Sequence, residues 1–247
     1  MNDSSTDNSL EVASSFQDER IHIYTKENEG VSAARNYGIM HAKYDYIAFL
    51  DADDIWESDY LECQKKLIGT YPDAGIYSTA FYSLEKGKRK LRNVLINEHI
   101  HFLVHDYFKE SVMNGLSICW TSSLCLKKEV IKEIPMFRVG IKRGEDLDLW
   151  LRIALNYDVA YLNLPKVFYR TGLSDSLTSD YSKNGEFPYY EWFNFTSESS
   201  YYRKYVILVV YIHAKNAFIH HDYDTCLAEL WSCLLYTSPS PRDPKTS

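Results

Sequence analysis

The stretch Tyr44-Asp45-Tyr46-Ile47-Ala48-Phe49-Leu50-Asp51-Ala52-Asp53-Asp54 passes from a nearly continuous apolar and aromatic run straight into a cluster of carboxylates. Such a run reads as a buried strand of a parallel sheet. In open α/β sheets ligands bind beyond the carboxyl ends of the strands, so this strand sets its acids at the mouth of a sheet. Crowded acids repel one another, and a cation is their natural partner. Mg2+ or Mn2+ on one or two carboxylates completes its shell with water and substrate phosphates. A local reading competes: Asp53 or Asp54 caps the helix that follows.

Upstream, Val31 to Lys43 reads as a helix in which Ala33, Ala34, Gly38 and Ala42 allow close packing. Arg35 shares a face with Val31, Ala34, Gly38 and Ile39, which should be buried. A buried Arg needs an anion. Two partners fit: an acid such as Asp51 in a structural salt bridge, or a phosphate or carboxylate of a ligand. Ile21 to Tyr24 reads as a short strand. Asn2 to Asp7 is a turn-rich polar cluster of the kind that follows a strand, and no strand precedes it.

Downstream, a helix is expected over Asp59 to Gly69, a strand over Ala74 to Tyr82 and a charged hairpin tip over Glu85 to Lys90. A helix over His101 to Met113 and a strand over Ile118 to Leu126 follow. Leu147, Trp150, Leu151, Ala154 and Leu155 keep helical spacing, and Gly144-Glu145-Asp146 opens that helix. Acids are favoured in a first helical turn by the dipole, and Asp148 with Arg152 fits an i,i+4 surface pair. A functional reading requires Asp146 to face the same cleft as Asp53, so that of two adjacent acids one orients and one accepts a proton. Short strands over Val159 to Leu162 and Lys166 to Arg170 come next, and the pattern from Phe187 onward is helical and aromatic. Alternating strands and helices predict an α/β fold with a mostly parallel sheet flanked by helices.

The chain has 247 residues, 45% hydrophobic and 25% charged, with a net charge of −7. This is the balance of a globular protein rather than a disordered tail, a collagen or a coiled coil. The acidic balance argues against nucleic-acid binding through phosphate neutralisation. The 21 tyrosines suit either carbohydrate binding or ordinary core and rim packing. Five scattered cysteines, none in a CxxC, read as free thiols in a reducing compartment. No signal peptide is evident, and the longest apolar run, Tyr205 to Ile212, is too short to span a bilayer. A cytoplasmic protein is expected.

Taken in order, Asn2 to Ser9, Asn28 to Asn36, Phe49 to Asp54, Gly144 to Arg152 and Tyr169-Arg170 resemble the family 2 glycosyltransferases of GT-A fold, over residues 1 to about 175. The resemblance implies a Rossmann-like domain that moves a sugar from a nucleotide-diphosphate sugar to an acceptor hydroxyl with inversion, in cell-surface polysaccharide or glycan synthesis. It implies that Asp3 touches the nucleotide base, that Asp51 and Asp53 bind the metal, Mg2+ or Mn2+, and the sugar nucleotide, and that Asp146 is the base with Glu145 beside it. Arg35 joins the nucleotide-sugar set. The implied partners are that donor and a glycan or lipid-linked sugar acceptor, with peripheral association at the inner face of the cell membrane as an open alternative. In many members a His follows the Tyr-Arg pair; here Thr171-Gly172-Leu173 follows, and no third metal ligand is assigned.

The same resemblance predicts a missing first strand-helix-strand unit. The domain is expected over residues 1–175, an aromatic helical extension over 176–232, and a disordered tail over 233–247. That tail, from Cys233-Leu-Leu-Tyr-Thr-Ser-Pro-Ser-Pro-Arg-Asp onward, resembles a translated library adapter. Two rivals remain. One is a haloacid-dehalogenase-like phosphatase, which also sets DxD after a strand but leaves Asp3 and Arg35 unexplained. The other is an inactive nucleotide-binding fragment.

Overall fold

The computed structural model describes residues 1–85, 87–92, 99–115, 117–141, 143–171 and 189–237. In chain order, α1 (Ser9–Ser14) and α2 (Val31–His41) precede β1 (Tyr46–Ala48) and β2 (Ile55–Trp56). Then come α3 (Tyr60–Thr70), β3 (Ile76–Glu85), β4 (Lys88–Arg92), β5 (His101–Val104) and α4 (Tyr107–Asn114). A 3-10 turn, Thr121–Ser123, leads into β6 (Leu124–Lys127), followed by α5 (Lys128–Glu133), α6 (Glu145–Ala154) and β7 (Val159–Thr171). The chain ends in α7 (Tyr189–Trp192), α8 (Tyr202–Ile219) and α9 (Tyr223–Thr237).

The class is α/β, but the sheet is mixed rather than mostly parallel. Its order is β1-β6-β3-β7-β2, with β4 on β3 and β5 on β7. Among the described residues β3 and β7 form the one parallel pair; the other pairs are antiparallel. One antiparallel step is the expected charged hairpin, which closes at Glu85 opposite Lys88. It reverses the chain without a crossover helix, so β4 runs against β3, and β7 later returns to the direction of β3. Alternation of strands and helices in a sequence does not report such a reversal.

Other expectations shift for local reasons. β1 is a three-residue edge strand paired antiparallel to β6 with Ile47 turned inward, not the buried parallel strand expected. His101 to Val104 pairs with β7 as β5 and leaves the helix to begin at Tyr107, where the Asp106 carboxylate caps it by accepting from the Lys109 N–H at 2.9 Å. The two short strands expected after Tyr157 form one strand, Val159–Thr171. Residues 21 to 24 lie outside any strand; the nearest pairing is a single parallel bridge, Asn2 with Thr25. Helix α9 extends to Thr237, five residues into the span expected to be a disordered tail; 238–247 lie outside the described residues.

One hydrophobic core joins the sheet to the C-terminal helices. Phe49, Phe137 and Trp150 meet edge to face or tilted, with ring centroids 5.7 to 6.2 Å apart. This triangle fixes the end of the β1 segment against α6. Trp192, Tyr202, Tyr205 and Val206 belong to the same core, so the helical extension shares the core of the domain.

Gly75, just before β3, is packed so closely that a Cβ there would lie 2.6 Å from Tyr157 Cβ and 2.8 Å from its Cγ. Gly75→Ala should therefore lower stability by about 1–3 kcal/mol, the usual cost of an overpacked site. A thermal melt checks this, and an unchanged midpoint would show that Tyr157 moves aside freely.

Candidate active site

Four elements converge on the acids. Beyond β1, Phe49 stays buried while Leu50 turns out to solvent, and the chain closes a turn in which the Asp54 N–H donates to the Asp51 carbonyl at 3.0 Å. The Asp51 N–H donates to Ser122 Oγ at 3.0 Å, so the 3-10 turn before β6 sets where this turn lies. From the other side Arg170, near the end of β7, donates its N–H to Asp54 Oδ1 at 3.2 Å and its Nε to the Asp53 carbonyl.

Neither Asp53 nor Asp54 caps a helix. The residue ahead of α3 is Asp59, and it makes no side-chain cap. Asp54 is buried, and its Oδ2 has no hydrogen-bond partner among the described residues. Burial pushes its carboxyl up to about 6, with Asp53 and Asp51 adding to the rise.

Arg35 joins the two acidic clusters. It donates from Nη2 to Asp51 Oδ1 at 2.7 Å and from Nη1 to Glu145 Oε1 at 2.8 Å. Its guanidinium lies 5.3 Å from the centre of the Phe137 ring. Its side chain is 12% exposed and that of Asp51 is 32% exposed. The salt bridge with Asp51 is thus present, and Arg35 holds the β1 turn against the start of α6. Arg35 occupies one of the two carboxylate oxygens of Asp51.

Gly144 adopts a left-handed conformation, φ 73°, which a side chain would strain. It starts α6 abruptly and places Glu145 and Asp146 in the first turn. Asp146 accepts from Thr121 Oγ1 at 3.2 Å and from the Leu147 N–H at 2.7 Å. Burial raises the carboxyl of Asp146; nearby Arg35 opposes the rise and Asp51 adds to it. Burial, reinforced by the charge of Asp146, lifts Glu145 to about 7. Backbone N–H hydrogen bonds at the helix start pull the other way and are outweighed by burial at both residues.

Asp3 stands at the beginning of α2 rather than on the acid pair. It accepts from the Gly30 N–H at 3.0 Å, the Glu29 N–H at 3.3 Å and Lys26 Nζ at 3.0 Å. A carboxylate is favoured there by the exposed N–H groups and the dipole. Gly30, with φ 88°, lets the chain turn into the helix.

The structure therefore brings Asp51, Arg35, Glu145 and Asp146 into one cluster, with Asp53 on the adjoining turn. Asp3 is tied to the same helix that carries Arg35. Sequence reasoning passed over Thr121 and Ser122, both buried, and gave no role to the Arg170 backbone. Hydroxyls at the start of a strand are a weak signal, because Ser and Thr are ordinary there.

A hard cation with few protein ligands fits Asp51 and Asp53: two carboxylates at a strand end, one of them a third exposed, leave room for water and phosphate. Among the described residues no three His, Cys, Asp or Glu side chains converge as a ready-made cage. Position 171 ends the described part of β7, and Gly172 and Leu173, where a third ligand was sought, lie outside the described residues.

Comparison with known proteins identifies the fold and the family. Over the full fold the chain is similar to S. aureus TarS 1-349 in complex with UDP-GlcNAc, with TM-score 0.62 and 13% identity, covering 93% of this chain and 62% of that one. It is likewise similar to the mannosyltransferase PcManGT from Pyrobaculum calidifontis in complex with GDP-Man and Mn2+, with TM-score 0.53 and 15% identity, covering 97% and 66%. These likenesses establish a GT-A fold. In sequence it is 35% identical over 159 residues to an uncharacterized glycosyltransferase of Rickettsia felis, covering 62% of this chain and 24% of that protein. It is 29% identical over 164 residues to the putative teichuronic acid biosynthesis glycosyltransferase TuaG of Bacillus subtilis, covering 65% and 61%. The chain thus spans between a quarter and three fifths of the length of these relatives. The phosphatase alternative finds no support in any of these likenesses. The family model described as glycosyl transferase family 2 matches residues 1–134, more than half of the sequence and all of the Asp3, Arg35 and Asp51–Asp53 elements, and the chain belongs to that family.

Proposed function

We propose that the chain carries the catalytic domain of a glycosyltransferase that moves a sugar from a nucleotide diphosphate to an acceptor hydroxyl, with inversion, in the synthesis of a surface polysaccharide. The observation that supports this most is the double ion pair of Arg35, which places the acids beyond β1 and the acids opening α6 at one site. TuaG, named for teichuronic acid biosynthesis, points to the polysaccharide class.

On this reading Asp146 takes the proton of the acceptor hydroxyl. The hydroxyl oxygen then bonds to the anomeric carbon as the bond from that carbon to the diphosphate oxygen breaks on the opposite face. The electron pair leaves with the nucleoside diphosphate, and a single displacement inverts the anomeric centre. A carboxyl raised by burial suits a proton acceptor working near neutral pH. Glu145 keeps Arg35 in place beside it. Asp51 and Asp53 would hold Mg2+ or Mn2+, which when bound neutralises charge on the departing diphosphate. Asp3, at the start of α2, lies with the nucleotide base. On this reading residues 1–175 carry the transferase machinery, the C-terminal helices complete its core, and the protein works in the cytoplasm. Among the described residues no helix is long and apolar enough to cross a membrane.

Calorimetric titration with UDP and GDP, with and without Mn2+, tests the reading. Wild type should bind one of them more tightly with Mn2+. Asp53→Ala should lose that metal-dependent gain, because one of the two carboxylates is gone. Equal affinities in wild type and variant would remove Asp53 from the site.

A further inference from the structure

Helix α6 carries a carboxylate that neither the acid pair nor ordinary helix chemistry explains. Asp148 and Arg152 were expected to form a surface pair; instead Asp148 is fully buried and Arg152 nearly so. Asp148 Oδ1 accepts from the Trp192 indole N–H at 2.9 Å. Its Oδ2 accepts from Arg152 Nε at 2.9 Å, with Arg138 Nε at 3.3 Å. Trp192, on α7, is itself fully buried. Replacing a buried ion pair with apolar residues is often neutral or stabilising, so stability alone does not account for a charge network inside a core.

The network ends at the site. Arg152 also donates to the carbonyls of Pro135 and Met136. The next residue, Phe137, is locked to α2 in both directions: its N–H donates to Asn36 Oδ1 at 3.0 Å, and Asn36 Nδ2 donates to its carbonyl at 2.7 Å. The Phe137 ring lies against Arg35, the residue that holds Asp51 and Glu145. One buried carboxylate thus supports the acids through two routes: along α6 to Glu145 and Asp146, and through the 135–138 loop to Arg35.

We propose that Asp148, anchored by the Trp192 indole on α7, is a positioning residue that fixes the first turn of α6 and the Arg35 guanidinium relative to one another. The inference rests on reading Glu145 and Asp146 as the working acids, but its test does not require sugar transfer.

The test is a pH titration of the Glu145 side-chain carboxyl by NMR in the full chain, with 13C-labelled Glu. Trp192→Phe keeps an aromatic ring in the core, smaller than the indole, and removes the N–H. Arg138→Gln, at a partly exposed residue, loosens the same network should the first variant fold poorly. Tyr77→Phe is the control, because it removes a buried hydroxyl that donates to the Tyr71 carbonyl in a separate core. In wild type the midpoint should lie near 7. Trp192→Phe should lower it by about one pH unit or more as water reaches the loosened turn, Arg138→Gln should lower it less, and Tyr77→Phe should leave it in place. If transfer is detected, Trp192→Phe should lower kcat and spare the KM for donor. An unmoved midpoint in both network variants, or an equal move in Tyr77→Phe, overturns the assignment. A shift in a protein that transfers no sugar supports the positioning role and sinks the transferase reading alone.

Discussion

Asp146→Asn should keep nucleotide binding and lose sugar transfer by roughly two to four orders of magnitude, the range expected when an acid–base group is removed. The size of the effect follows from what the substitution spares. Asn at 146 can keep its Oδ1 on the Leu147 N–H while its amide NH2 donates to the Thr121 hydroxyl where a carboxylate oxygen had accepted, so the start of α6 keeps its shape. Only the ability to take a proton is gone. Glu145→Gln should lose less, since Glu145 acts by holding Arg35 rather than by receiving the proton. Its amide can still accept from Arg35 but loses the charge. The pH profile adds a second check. Because burial raises the Asp146 carboxyl, transfer should fall on the acid side at a pH above the usual carboxylate range. Steady-state rates for the two variants across pH 5 to 9 decide the matter. Near-normal turnover in Asp146→Asn would place the base elsewhere.

Much of this site was legible because its residue types were in conflict with their surroundings. Acids at the end of the apolar stretch before Asp51, and an Arg on the packed face of α2, each demanded a partner, and the structure makes them partners of one another. The pair at Glu145 and Asp146 was equally visible, since Gly144 and the apolar spacing after it marked a helix start. Asp148 shows where such reading stops. Its i,i+4 spacing to Arg152 is identical for a surface pair and a buried one, and what distinguishes them is Trp192, 44 residues away and packed from another helix. Sheet direction was hidden for a related reason. Periodicity marks strands but not their direction: β4 runs against β3 across one charged hairpin, β6 runs against β3 as well, and charged tips join strands of many topologies. Ser122 and Thr121 were invisible as site residues because their work is done by ordinary hydroxyls whose importance lies in what folds against them.

Arg35→Leu should destabilise the protein by roughly 2–3 kcal/mol near pH 8. Stranding the partners of a fully buried pair costs about 3–5 kcal/mol, and the part-exposed Asp51 lets water relieve some of it. At this chain length that corresponds to a drop of about 4–12 °C in Tm. The loss should depend on pH in a definite sense. Glu145 already titrates near 7 in the folded chain against an ordinary value of 4.5, so the native state holds more protons than the unfolded state between those values. Stability tied to Glu145 therefore falls as pH rises through that window. Arg35 limits the fall because its charge favours the ionised form at both Glu145 and Asp146. Without it the acids resist ionisation further. Near pH 5 Glu145 stays largely protonated in the folded variant and needs no cation, so the gap from wild type should be smaller. It should widen through neutral pH and be full by about pH 8. Melting curves of both proteins at pH 5, 6.5 and 8 give the comparison. A gap of the same size at all three values would mean that Arg35 contributes through its packing on Phe137 and not by holding Asp51 and Glu145 together.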